Sequence, residues 1–381
     1  MRVAKCGFVL KVAAFVSNAP TPSPSHAHPV LVRIVEFLGS LRLAMLLLAV
    51  VIVACAVGTV AESRFDACVA RYYVYDAHWF SAWLVVLATN LLVSALLRWP
   101  WRRRHVGFLT VHLGIIVLLA GAMIGKVGGY EGTITLSADG PADNVLQTRE
   151  TVLQVGLPGR PYVDQHDFPI EMRPPSGDRA FVVDLPGDAG RIVADGTRLD
   201  ARGRRSVRLS HESASGVRGE PRWLAEGEPL RLPAPAGELY LCISNKRLRL
   251  PVSVKLEAFE VGYEEGSSQP ASFRSRLGFI AADGTVTHGA CSMNNPALWP
   301  DAMSGHFTGL CHKFSQASWD PSNLRLSTVQ VLYDPGWMPK WVGSLIVVVG
   351  LCITFLQKSG HGRVEALADA SADADTDAAD T

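Results

Sequence analysis

Residues 108–125 read FLTVHLGIIVLLAGAMIG, a run in which His112 is the single ionisable group. A helix rises about 1.5 Å per residue, so roughly 20 apolar residues cross a hydrocarbon layer about 30 Å thick. Three further runs are of the same kind: LAMLLLAVVIVACAVGTVA at 43–61, WFSAWLVVLATNLLVSALL at 79–97 and WVGSLIVVVGLCITFL at 341–356. The last reaches spanning length when it is extended back to Met338. Four blocks this poor in charge argue for membrane spans rather than for buried helices of a soluble protein. They carry much of the 48% apolar content, because the long stretch between the third and fourth blocks has ordinary soluble composition. A net charge of +1, with no basic patch interleaved with aromatics, argues against a nucleic-acid partner.

Basic residues in the loops set the expected orientation. The link between spans two and three reads RWPWRRRH, residues 98–105. Lys5, Lys11, Arg33 and Arg42 precede span one, and Lys358 and Arg363 follow span four. All these segments fall on one side of a four-span topology, so that side is expected to be cytoplasmic. The resulting plan is a disordered leader at 1–29, an interfacial helix at 30–42 and spans at 43–61, 79–97, 108–125 and 338–357. An outer loop occupies 62–78, a basic cytoplasmic loop 98–107, and a large outer domain 126–337. The acidic, Ala/Asp-rich tail at 358–381 is expected to be disordered and cytoplasmic. Lys11 interrupts the apolar run at 7–16, which argues against a cleaved signal peptide.

From Tyr130 the pattern changes to short alternating runs such as TITL (133–136), TVLQV (151–155), LYLCI (239–243) and STVQVL (327–332). Separated by Gly, Pro and Asp, these predict an all-β domain, either a sandwich or an open barrel, between spans three and four. Residues 186–235, rich in Gly, Pro and Arg, read as long loops. Of the cysteines, Cys68, Cys242, Cys291 and Cys311 fall outside the membrane, where a disulfide is permitted and a Cys291–Cys311 pairing is left open. There is no C-x-x-C pair, and Cys311-His312 lacks the upstream cysteine of a haem-attachment motif. The chain has no G-x-S-x-G, Walker loop or H-E-x-x-H.

An ionisable residue inside a span is a functional hypothesis by default. His112 reads in two ways: as a ligand for haem iron, or as a neutral histidine hydrogen-bonded to a neighbouring helix. At 100° per residue Gly114, Gly121 and Gly125 share one face suited to close helix approach. His112 points roughly 180–220° away from that face. His105 returns to the His112 side about 10 Å nearer the cytoplasm, where it reads more simply as a member of the basic loop. The other spans contain no histidine, with Met45 as their other soft ligand. If two imidazoles hold haem, the second therefore comes from another subunit.

Several motifs together resemble the ResB (CcsB-type) family of System II cytochrome c biogenesis proteins, over about residues 37–355. Span one opens on Phe37-Leu38-Gly39-Ser40-Leu41 and closes on Gly58-Thr59-Val60, and Tyr75 with Trp79-Phe80 introduces span two. His112-Leu113-Gly114 and Gly121-Ala122-Met123-Ile124-Gly125 are similar to the family's third span. Asn295-Pro296, Phe314-Ser315-Gln316-Ala317-Ser318-Trp319-Asp320-Pro321, Asp334-Pro335-Gly336, Lys340 and Gly343-Ser344 follow in the family's order. The resemblance implies a bacterial inner-membrane subunit that carries haem across the membrane and helps attach it to apocytochrome c. His112 would be the axial ligand of a transiently held haem b. The implied partner is a CcsA-type protein with a tryptophan-rich haem motif, which this chain lacks, and thiol-reducing proteins would act indirectly. The chain is then a non-catalytic or co-catalytic part of a haem lyase complex. The rival reading is a cofactor-free membrane-anchored module whose β domain recognises another protein; a small-molecule transporter fits less well, because no span looks broken.

Overall fold

The computed structural model describes residues 29–357, apart from 65–66, 161–162, 171–173, 187–188, 200–203, 235–236, 267–268 and 302. Most of the leader and the whole tail lie outside the described residues, as does the side chain of Cys68. The helices are α1 (Pro29–Leu38), α2 (Leu41–Arg64), α3 (Ala67–Ala70), α4 (His78–Leu96), α5 (Val106–Gly128), α6 (Met303–Thr308) and α7 (Trp337–Gln357). Of these, α2, α4, α5 and α7 are long and apolar enough to cross a membrane. Helix α4 starts at His78, so an exposed imidazole stands at the end of one span that the sequence reading had placed outside it. The expected outer loop at 62–78 is itself largely helical, with a π turn at Arg71–Tyr75 following α3.

The break between α1 and α2 at Gly39-Ser40 is stabilised from two directions. Ser40 Oγ accepts the Leu43 N–H at 3.2 Å, an N-cap that satisfies a donor of the new helix. Buried Asn90 of α4 donates from Nδ2 to the carbonyls of Leu38 (2.6 Å) and Ser40 (3.3 Å). A polar residue within a span thereby serves backbone groups that lipid would leave unsatisfied. Trp83 Nε1 donates to Leu47 O at 3.1 Å, and Leu43, Leu47 and Leu87 form the apolar seam between α2 and α4.

Helices α5 and α7 meet backbone to backbone through glycine. A Cβ added at Gly114 would stand 2.7 Å from Val347 N and 2.9 Å from Gly343 O, and one at Gly121 would stand 2.7 Å from Lys340 N. In return, a Cβ at Gly343 would lie 2.5 Å from Leu118 N, and one at Gly350 would lie 2.7 Å from Val111 N. Gly107 continues the series against Thr354. Glycines seven apart stay on one side of a helix, so both helices present a flat stripe to each other.

Between α5 and α7 the chain is antiparallel β. The strands are β1 (Tyr130–Ser137), β2 (Asp143–Gly156), β3 (Val163–Asp167), β4 (Phe181–Asp184), β5 (Arg191–Leu199), β6 (Arg205–Glu212) and β7 (Arg222–Ala225). They continue as β8 (Pro229–Ala234), β9 (Gly237–Tyr263), β10 (Pro270–Ala281), β11 (Val286–Cys291), β12 (Ala297–Trp299), β13 (His312–Asp320) and β14 (Asn323–Tyr333). The main sheet runs β11-β10-β9-β2-β1-β14-β13-β12, with β3 added on β2 and β8 on β9. It curls until its two ends nearly meet: a Cβ at Gly289 of β11 would lie 3.2 Å from Ala297 Cβ of β12. Ser275 Oγ on β10 donates to Gln316 Oε1 on β13 at 2.7 Å across the interior, within a buried polar group completed by Ser327. The Phe314–Pro321 motif thus helps to close a near-barrel: Phe314 packs on Phe279, and Trp319 on Phe259 and Phe273.

Residues 186–235 correct the expectation of long loops. They contribute β5 to β8, and β4-β5-β6-β7 form a second sheet. Its inner face carries Ile192, Ala194, Val207, Leu209 and Leu224, packed against Leu153, Leu239, Leu241 and Ile243 from β2 and β9. Those two long strands continue into the barrel core through Leu146, Val252 and Val254. Several of the described arginines of this segment, Arg191 and Arg208 among them, lie on the sheet's outer face. Asp195 Oδ1 takes Arg208 Nε at 2.7 Å, its Oδ2 takes Arg218 Nη2 at 2.6 Å, and Arg191 pairs with Glu212. Short strands whose outward positions include several arginines hide their period-2 pattern behind their charge.

Candidate functional site

His112 lies two turns into α5, on the side of the bundle away from the β domain. Its ring is tilted against that of Phe108, one turn earlier, with centroids 3.8 Å apart. The Arg98 guanidinium, following α4, covers Phe108 with Cζ 3.6 Å from the ring centre, a cation–π contact. Nδ1 of His112 is 3.0 Å from the Phe108 carbonyl oxygen. A carbonyl only accepts, so Nδ1 carries the hydrogen and Nε2 carries the lone pair. Among the described residues no hydrogen bond reaches Nε2, and the side chain is half-buried. Metal-bound histidines are commonly set up this way, with one ring N–H held by a carbonyl and the other nitrogen directed outward.

The glycine stripe of α5 faces α7, and His112 is on another side of the helix. Leu119, seven residues on, packs against the Leu43–Leu47–Leu87 seam, and Lys126, seven further, donates to Tyr75 O and Ser81 Oγ. The His112 side therefore runs along α2 and α4. His105 is not joined to the site: its Nδ1 lies 3.3 Å from Arg102 N and its Nε2 3.3 Å from Arg104 Nε, within the basic loop. Met45 sits on an exposed side of α2. Among the described residues no group of three or more His, Cys, Asp or Glu side chains is placed to hold a metal ion.

The β domain buries His312, which the sequence reading sets aside as part of an incomplete haem-attachment motif. Tyr130, Tyr333, His312 and Trp299 are successive cross-strand neighbours on β1, β14, β13 and β12. His312 is buried, stacked on Tyr333 at 4.9 Å, with Nε2 2.6 Å from Tyr130 Oη. Its sequence neighbour Cys311 is a buried free thiol, as is Cys291, so the two are not bridged. Burial drives both thiols up, that of Cys291 to about 11, which leaves them protonated and inert near neutrality. A cavity of about 380 Å³ lies where the bundle meets the domain, lined by Tyr75, Phe80, Lys126, Tyr130, Tyr333 and Lys340 among others.

Fold and site together define a multi-pass membrane protein with four spans, one of them carrying an imidazole, and a near-barrel β domain mounted between the last two. The ResB-like family model matches residues 101–180, which include His112 and the first strands of the domain. Protein NrfI of Wolinella succinogenes is 27% identical over 344 residues, covering 85% of this chain and 35% of that protein. The resemblance read from the sequence holds: the chain is similar to ResB-like proteins in its third span and the start of its β domain, and to NrfI over most of its length. It spans about a third of the length of that curated relative. Among solved structures, Cytochrome c Heme Lyase CcmF is 12% identical with a TM-score of 0.23, covering 81% of this chain and 34% of that one.

Proposed function

We propose that this chain is a subunit of a cytochrome c biogenesis complex in a bacterial inner membrane and that it holds haem b through His112 on the way to apocytochrome c. The observation that carries this reading is the tautomer of His112. The Phe108 carbonyl takes Nδ1–H and leaves the Nε2 lone pair free within a membrane helix. The ligand set fits haem in three respects. Nε2 supplies one axial nitrogen, Phe108 holds the imidazole ring in place through its carbonyl and its ring, and Arg98 with the neighbouring arginine loop supplies cations for carboxylate groups. Haem supplies the vinyl groups to which cysteine thiols add; this chain supplies position and a ligand. The spans offer no second internal imidazole, so the other axial position falls to a partner of CcsA type.

The test is an absorption spectrum of the purified chain, alone and with a CcsA-type partner. A b-type spectrum lost in His112→Ala, restored by added imidazole and retained in His361→Ala supports the reading. Full haem occupancy in His112→Ala removes the site. Absence of haem in every sample, while the β domain still binds apocytochrome c, replaces the reading with a cofactor-free assembly module.

A further inference from the structure

Helix α6 projects two large apolar side chains into the open: Phe307 is 68% exposed and Leu310, just beyond the helix, 54%. They are not on a loose loop. Gly309, at φ +73°, makes the left-handed turn after α6, and its N–H donates to Gly305 O at 3.0 Å. A Cβ at Gly309 would lie 2.7 Å from Trp337 Cβ and 3.2 Å from Asp334 O, so the turn rests directly on the first residue of α7. Leu310 N–H is taken by Thr308 Oγ1 at 3.3 Å, and Lys313 Nζ lies 4.7 Å above the Trp337 ring. Phe307 and Leu310 are thereby held level with the start of a membrane span. Below them, Trp337, Trp341 and Leu345 fall four residues apart on one side of α7, Trp341 being 64% exposed.

We propose that the segment from α6 to Leu310 is a membrane-dipping anchor, whose Phe307 and Leu310 enter the acyl–headgroup boundary of the leaflet in which α7 begins. The patch is continuous with the Trp337–Trp341–Leu345 stripe, which belongs to a span and faces lipid. Aromatic residues concentrate at that level of a bilayer, where an apolar ring and a nearby cation are both accommodated. Lys313 stands at the height of the phosphates. Leaving two large apolar side chains in water is a cost that the bilayer removes. The anchor would fix the tilt of the β domain on the membrane.

The full-length protein in phosphatidylcholine nanodiscs, containing a lipid with a photoactivatable diazirine in its acyl chain, tests this. After irradiation, peptide mass spectrometry should find lipid adducts on 303–310 as on 337–345, and none around Leu199 at the end of β5 or Val217 between β6 and β7, which are equally exposed. The double variant Phe307→Ser/Leu310→Ser should lose adducts on its own segment and keep those on α7, the latter showing that the protein is still inserted. Wild-type protein labelled on α7 but not on 303–310 overturns the proposal.

Discussion

His312 has one ring nitrogen engaged and the other stranded. Nε2 meets Tyr130 Oη, while Nδ1 is buried without a properly oriented hydrogen bond. Burial lowers its pKa below the ordinary 6.5, with the Trp299 backbone offsetting this only in part. The folded domain therefore prefers a neutral ring, whereas the unfolded chain takes up a proton near 6.5. Stability is complete above that value and falls as pH drops from it toward the lower folded value, by at most about 1.4 kcal/mol per pH unit. Melting temperatures at successive pH values should show this loss in the wild type and a shallower one in His312→Gln; equal slopes would assign it elsewhere. His112 is the contrasting residue. Its type and depth were legible in the chain, but the free Nε2 was not, because the tautomer depends on which carbonyl the rotamer reaches.

At the scale of elements, the contact of α5 with α7 makes the sharpest demand. Gly114→Leu puts a branched side chain where the Val347 and Gly343 backbones stand, so the helices must part. Overpacking of this kind costs about 1–3 kcal/mol, and more where backbone cannot yield. The variant should melt well below wild type and be cut faster by protease near residues 335–337, while Ala120→Leu, on an exposed position of the same helix, changes neither. Equal melting of the two variants would mean that α5 and α7 do not rely on this seam. The stripe Gly114–Gly121–Gly125 was readable by helical arithmetic, and Gly107 belongs to the same series. The matching Gly336–Gly343–Gly350 repeat was equally present, but a repeat on one helix does not name its partner. Strands β5 to β8 were missed for a different reason: their outward positions hold arginines whose counter-charges, such as Asp195, come from neighbouring strands.

Taken as a whole, the molecule is a bundle and a β domain joined by two short connections. Helix α5 passes into β1 through Gly129, β14 reaches α7 within four residues, and β1 pairs with β14 from Tyr130↔Tyr333 to Ser137↔Leu326. Such a mounting leaves the domain little freedom to swing against the membrane. Its side of the membrane follows from the arginine loop: if basic loops stay in the cytoplasm, the domain is outside. A membrane-impermeant maleimide should then label Val217→Cys in intact spheroplasts, and Arg102→Cys only after permeabilisation; the reverse pattern would invert the topology. The amino-acid sequence by itself determined the four helices and the β character of the region between the last two. Hydrocarbon tolerates so few charges, and strands alternate so regularly, that composition and period suffice for both. Only the tertiary structure decided which glycine stripe meets which, that an arginine-rich stretch is a sheet, that the barrel nearly closes through Ser275 and Gln316, and that His112 keeps one nitrogen free. Each of those depends on a partner distant in the chain or on a side-chain rotamer, and neither is encoded in local pattern.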